Sequence, residues 1–167
     1  MDLYILRHGI ATERGTAGYE RDFERPLTPD GEKKVRRISK AMLRLELMFD
    51  LIVSSPYVRA RETAEIVAAT LSLTKQLDFR DSLGADGDPR ELIAELTKLK
   101  PEPNRLLLVG HEPSLSTIAS LLISGSPKPC LVLKKAGFCK LTVESLRVGR
   151  CAQLEWLLTP RQMLLMA

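Results

Sequence analysis

The sequence predicts a three-layer α/β/α sandwich on a mostly parallel central sheet with an antiparallel edge, formed by one domain over residues 1–167. Three observations predict it. Apolar runs of strand length recur without alternating polar residues, "LYIL" (3–6), "LIV" (51–53) and "LLLV" (106–109), as in strands covered on both faces. Longer segments with helical periodicity separate them, so strand and helix alternate. From residue 131 the pattern shortens to "LVL", "FCKLTV" and "AQLEWLL", read as shorter strands with an antiparallel hairpin around "RVGR" at a sheet edge.

Taken in order, the first strand ends directly in Arg7, His8 and Gly9. The connection from Gly9 to Leu27 is long, charged and poor in apolar residues; a functional loop and a mobile surface loop both fit it. "LTPDG" then starts a helix, with Thr28 as N-cap and Pro29 at the first helical position. "SSPYV" is read the same way after the second strand, with Ser55 and Pro56. "GDPREL" places Asp88 before Pro89, with Glu91 at capping-box spacing. "HEPSLSTIASLL" opens a further helix around Pro113, and "TPRQMLLMA" is a short closing segment.

Composition narrows the function classes. The 44% hydrophobic and 28% charged shares are those of a soluble globular protein with a real core. The apolar runs are far too short to cross a bilayer, and the start lacks the features of a signal peptide, so a cytoplasmic location is expected, with no membrane partner. Cys130, Cys139 and Cys151 are odd in number and have no CxxC spacing, which argues against a disulfide framework or a thiolate zinc site. The net charge of +4 favours an anionic substrate or an acidic partner. The one basic cluster, "KKVRR" (33–37), is read as a solvated helix face rather than a nucleic-acid site. A small monomer is the default.

The chain has two histidines, and each follows an apolar run: His8 after "LYILR", His111 after "LLLVG". In an open α/β sheet, ligands bind beyond the carboxyl ends of the strands. If these strands are parallel neighbours, both imidazoles enter one crevice. "SSPYVRARETA" (54–64) supplies a third piece, in which Arg59 and Arg61 lie about 200° apart around a helix, so only one can face the crevice. Arginine forks and helix N-termini suit a phosphate dianion, a neutral imidazole can attack phosphorus, and a second can hydrogen-bond the same group. Spacing alone does not say which histidine attacks or which arginine serves. No HxxxH or HxH pair, P-loop or GxGxxG occurs, so no metal and no nucleotide cofactor is expected.

"LRHG" (6–9), "SSPYVRARETA" and "VGHEP" together, in this order, resemble the histidine phosphatase superfamily, with its phosphoglycerate-mutase-like fold. The short chain, "RHGIA", "RPLTPDG" (25–31) and "WLLTP" resemble most its SixA-type phosphohistidine phosphatases. The resemblance implies that His8 is the nucleophile that becomes phosphorylated, and that Arg7, Arg59 and His111 form the phosphate pocket, with no cofactor. It selects Arg59 over Arg61. Arg25 is a further candidate for a phosphate or loop contact, with a structural ion pair the favoured role; Glu112 and Glu24 are carboxylates near motif residues.

Mutase-type members carry a polar residue where this chain has Ala11, and an acidic proton donor where "DSLGADGDPREL" (81–92) offers Asp81, Asp86 and Asp88 without a clear match. Such an acid matters less for a phosphoramidate, whose imidazole can leave protonated, than for an alkoxide. The expected activity is therefore dephosphorylation of a protein phosphohistidine, such as that of a histidine-phosphotransfer domain in a signalling relay. A small-molecule phosphomonoesterase of the same fold and a non-catalytic phosphate-recognition module are the alternatives.

Overall fold

In the computed structural model, which describes residues 1–167, the first apolar run is strand β1 (Asp2–Arg7), with Leu3 to Leu6 all buried. The others become β2 (Leu51–Ser54) and β4 (Arg105–Gly110). A short strand that the apolar pattern does not announce, β3 (Leu77–Phe79), and the hairpin β5 (Phe138–Val143) and β6 (Ala152–Leu158) complete one six-stranded sheet. The strand order is β3-β2-β4-β1-β5-β6. β1 to β4 pair in parallel, while β5 and β6 are antiparallel at one edge, as the sequence pattern indicates.

Continuous apolar strands make sense because both faces are covered. Leu3, Ile5, Val53, Leu106 and Leu108 face α3 (Pro89–Leu96) and α4 (Ser114–Ser124). Tyr4, Leu6, Ile52, Leu107 and Val109 face α1 (Pro29–Arg44), α2 (Val58–Thr70) and α5 (Pro160–Leu165). Each fully buried strand leucine contributes about 1.5–3 kcal/mol by transfer from water. The period-two alternation along each strand thus divides two cores across one sheet.

Helix α1 starts where expected: the Thr28 hydroxyl accepts from the Gly31 amide at 3.0 Å, and Pro29 occupies the first turn. It buries Val35, Ile38 and Met42, while Lys33, Arg36 and Arg37 stay exposed, so "KKVRR" is a solvated face around one buried valine. The Asp88 carboxylate caps α3 by accepting from the Arg90 amide at 2.8 Å. The reciprocal bond from Glu91 that the capping-box spacing suggests does not form.

Two further expectations need correction. Helix α2 begins at Val58, not at Pro56, and Ser55 does not cap it; the Ser55 hydroxyl is turned to the Tyr57 amide and to His111. "LVL" (131–133) is not a strand. The place beside β1 is taken by β5, which pairs Phe138 with Leu6, and the Leu133 carbonyl is turned toward Arg7 instead. The closing segment is a full turn and a half of helix, with a Thr159–Gln162 capping box, seated on α1.

Two glycines let the first strand end lie against α1. A Cβ on Gly9 would stand 2.7 Å from the Val35 side chain, and one on Gly31 would stand 2.0 Å from the Ile10 carbonyl oxygen. Gly31→Ala therefore pushes out the backbone two residues beyond His8. We expect a loss of about 1–3 kcal/mol of stability, read by urea denaturation, with reduced turnover.

Candidate active site

The sheet order brings the two histidines together. β1 and β4 are parallel neighbours with Arg7 opposite Gly110, and the His8 amide donates to the Gly110 carbonyl at 3.0 Å. One residue past each strand, the imidazoles meet with ring centroids 5.1 Å apart. β2 lies on the far side of β4, and its end delivers Ser55 and the start of α2, so Arg59 reaches the same place. The resulting cleft, about 340 Å³, is lined by Arg7, His8, Arg25, Arg59, His111 and Glu112, with Ala11, Glu13, Arg14, Ala85 and Lys135 at its sides.

Local bonding gives the His8 ring a defined tautomer. His8 Nδ1 lies 2.7 Å from the Gly9 carbonyl, which has no proton to give, so Nδ1 carries the hydrogen and Nε2 keeps its lone pair. The Arg59 Nε–H donates to that Nε2 at 3.3 Å. The Ser55 hydroxyl accepts from the Tyr57 amide and lies 2.8 Å from His111 Nε2, to which it can donate, leaving His111 Nδ1 as the N–H. His111 Nδ1 is buried without a partner, and so is Arg7 Nε, while Arg7 Nη1 donates to the Leu133 carbonyl at 2.8 Å. Two buried donors without acceptors, beside the guanidinium of Arg59, are the complement of an oxyanion.

Burial, reinforced by nearby guanidinium groups, pushes both histidines down to about 3, so both are neutral at physiological pH. The consequence for stability has a definite sign. An unfolded histidine takes its proton near pH 6.5, and these two resist it until about 3. Stability is therefore greatest above pH 6.5 and falls as pH drops through the window from 6.5 toward 3. Thermal melting of the free protein across this range should show the decline, and a His8→Gln, His111→Gln double variant should flatten it.

Arg59 and Arg61 separate cleanly. Arg59 is 2% exposed and faces the cleft, while Arg61 is exposed and pairs with Glu65 at 3.7 Å. Arg25 is bound to Asp22 at 2.7 Å and to the Thr12 carbonyl at 2.6 Å, which ties down the loop it follows while its side chain borders the cleft. Glu112 is half-buried; it accepts from Ser116, and its other oxygen is buried without a partner. Burial raises its pKa, against the pull of Ser116 and Arg7. Glu24 lies in a short 3₁₀ turn, paired only loosely with Arg21 at 3.9 Å. Of the 81–92 segment only Ala85 lines the cleft; Asp81, Asp86 and Asp88 do not. No three His, Cys, Asp or Glu side chains converge as a metal-binding group, and no helix is long and apolar enough to cross a membrane.

Two participants escape sequence reasoning. Ser55 orients His111, although its sequence context reads as a helix cap. Asp22 lies in the long connection and meets Arg59 at 2.8 Å, with no local pattern to announce a partner 37 residues away. That connection is no free loop: Ala11 and Leu27 pair across its base, and the Leu27 amide donates to Glu62 at 2.7 Å.

Residues 3–83 match the model of the histidine phosphatase superfamily (branch 1). An uncharacterized protein of Picosynechococcus sp. is 38% identical over 149 residues, covering 89% of this chain and 88% of that one. Phosphohistidine phosphatase SixA of Escherichia coli (strain K12) is 27% identical over 130 residues, covering 77% of this chain and 78% of its own. The solved structure of the protein histidine phosphatase SixA complexed with tungstate superposes with a TM-score of 0.83 at 24% identity, over 96% of this chain and 98% of that one. With two strand-end histidines and a buried arginine in one cleft, and with these relatives, the chain belongs to the histidine phosphatase superfamily and is SixA-like in size and architecture.

Proposed function

We propose that this protein is a phosphohistidine phosphatase that works through a phosphorylated His8. The observation that carries the reading is the oriented His8 Nε2 lone pair beside two buried donors without acceptors, Arg7 Nε and His111 Nδ1. In the first step Nε2 attacks phosphorus in line, and a new N–P bond forms as the bond to the leaving group breaks. The electron pair of that bond goes to the leaving nitrogen of a substrate imidazole already protonated on its other ring nitrogen, so a neutral imidazole departs. Arg7, Arg59 and His111 neutralise and hydrogen-bond the equatorial oxygens, where charge is greatest in the transition state. In the second step a water oxygen attacks phosphorus, the P–Nε2 bond breaks, and inorganic phosphate leaves with His8 restored. The first step needs His8 neutral at the outset, as its burial favours. No metal or organic cofactor takes part.

The substrate class follows from what lines the cleft. Ala85 stands where the 81–92 segment approaches it, and no aspartate of that segment reaches in to protonate an alkoxide. The edge is formed by exposed side chains such as Glu13, Arg14 and Lys135, without a covering domain, which leaves room for a phosphohistidine carried on a folded protein. The resemblance to phosphohistidine phosphatase SixA supports the same class. The partner we infer is a histidine-phosphotransfer domain or a similar signalling protein in the cytoplasm, met by a monomer of this chain. A small phosphate monoester is the second reading: Glu112, half-buried with a raised pKa, is a proton donor of the kind an ester leaving group needs.

Phosphate release from a phosphorylated histidine-phosphotransfer domain, compared with a panel of small phosphate monoesters and without added metal, tests the proposal. Faster release from the phosphoprotein is expected. Faster release from the esters would overturn the substrate and keep the His8 chemistry. Tight binding of the phosphoprotein without release would identify a recognition module.

A further inference from the structure

The Arg59 guanidinium is used from two sides. Its terminal edge is held by Asp22, with Nη1 donating to the Asp22 carbonyl at 2.6 Å and Nη2 to the carboxylate Oδ2 at 2.8 Å. Its remaining edge, the Nε side, faces His8 Nε2 at 3.3 Å. The Tyr57 ring lies 5.4 Å from the guanidinium carbon and stacks against it. Asp22 is itself anchored. Its Oδ1 accepts from Arg25 at 2.7 Å and from Arg14 at 2.9 Å, and Arg25 also reaches the Thr12 carbonyl at the base of the loop. Burial alone would raise the Asp22 pKa, but the hydrogen bonds and charges of Arg25 and Arg59 override it and hold the group well below the usual carboxylate range. Asp22 is therefore held in its charged form at neutral pH.

We infer that Asp22 is a positioning residue of the phosphoryl-transfer site: it clamps the terminal edge of Arg59 so that the Nε edge is presented to His8 and to the transferring phosphoryl group. An arginine side chain has four rotatable bonds and would otherwise sample many directions, so ordering it before the substrate arrives removes that cost from the transition state. The connection between β1 and α1 is thereby a strap. Its base is closed by the Ala11–Leu27 pair, and its Asp22 carboxylate links Arg25, which also holds the Thr12 carbonyl, to Arg59 in a single chain of contacts ending at His8. In the free protein the Nε–H occupies the His8 lone pair; a phosphoryl oxygen takes that hydrogen bond over as the lone pair turns to phosphorus.

The role rests on the phosphatase reading above, so its test has one arm that needs no substrate. In ¹⁵N-labelled protein, Asp22→Asn should shift the His8 Nε2 resonance, because a released Arg59 no longer donates to it, while the melting temperature stays within a few degrees. In the kinetic arm, the substrate that wild type turns over fastest is used, whatever its class. Asp22→Asn should lower kcat by about 10–100-fold with KM changed less than about threefold. The rate of phospho-His8 formation in a single turnover should fall while the fraction of folded chain stays as in wild type; a role in stability alone would lower the folded fraction instead. Asp22→Glu should restore part of the rate. An unmoved His8 resonance, or a kcat within twofold of wild type, would overturn the inference. A wild type that prefers esters would overturn the substrate proposal and leave this one to be judged on the same two readouts.

Discussion

His8→Ala lowers turnover by at least about 10⁴-fold, the scale at which loss of a nucleophile is felt in enzymes with covalent intermediates. The expectation is large because nothing else in the cleft can take its place. His111 is the only other imidazole, and its Nε2 is engaged by Ser55, which leaves the ring an N–H rather than a lone pair to offer. The two histidines are thus unequal for a local reason: both carry the hydrogen on Nδ1, but the His8 Nε2 lone pair faces the cleft beside Arg59, while that of His111 accepts from the Ser55 hydroxyl at the β2 end. Wild type stopped with denaturant during turnover should carry an acid-labile, base-stable phosphate on His8, and His8→Ala should carry none. His111→Ala should still be labelled, slowly. Turnover by His8→Ala at the wild-type rate would remove the covalent mechanism.

Arg59→Ala loses transition-state stabilisation of about 3 kcal/mol, a factor of 10² or more in kcat, while Arg61→Ala stays within about 0.5 kcal/mol of wild type in stability and leaves kcat unchanged. The contrast follows from burial. Arg59 is buried beside the nucleophile, where its charge acts through little solvent, whereas Arg61 and Glu65 form an exposed pair one turn apart. Arg59→Lys should not rescue. A lysine has one nitrogen and cannot hold the Asp22 carbonyl and carboxylate while also facing His8. Steady-state kinetics of the three variants with the same substrate decide it. Equal losses in Arg59→Ala and Arg61→Ala would show that net charge, not the position of one guanidinium, governs the step.

Much of this architecture is legible in local patterns. "LYIL" and "LLLV" read as buried strands because both faces of a parallel sheet are covered, so no polar residue interrupts them. Thr28 and Asp88 read as caps because the donors they satisfy lie two or three residues away. β3 escapes because Leu77–Phe79 is short and only partly buried, so it lacks an apolar run. Leu131–Leu133 misleads for the opposite reason: it is apolar and β-branched in part, yet its neighbours Pro127 and Pro129 cannot donate to a ladder, and β5 already fills the place beside β1. The closing segment, read from the sequence without a secondary structure, is helical because Thr159 and Gln162 satisfy each other's backbone.

By itself the sequence determined which residues stand at the strand ends and which kind of chemistry they suit, because burial period, capping and glycine placement act between near neighbours. The tertiary structure decided who meets whom. Parallel pairing of β1 with β4, in a register that sets Arg7 opposite Gly110, makes one site of two histidines 103 residues apart. The rotation of α2 selects Arg59, and the path of the strap brings Asp22 to it. Those contacts join groups with no common local pattern, and their geometry exists only once the sheet order and the packing of both helix layers are in place.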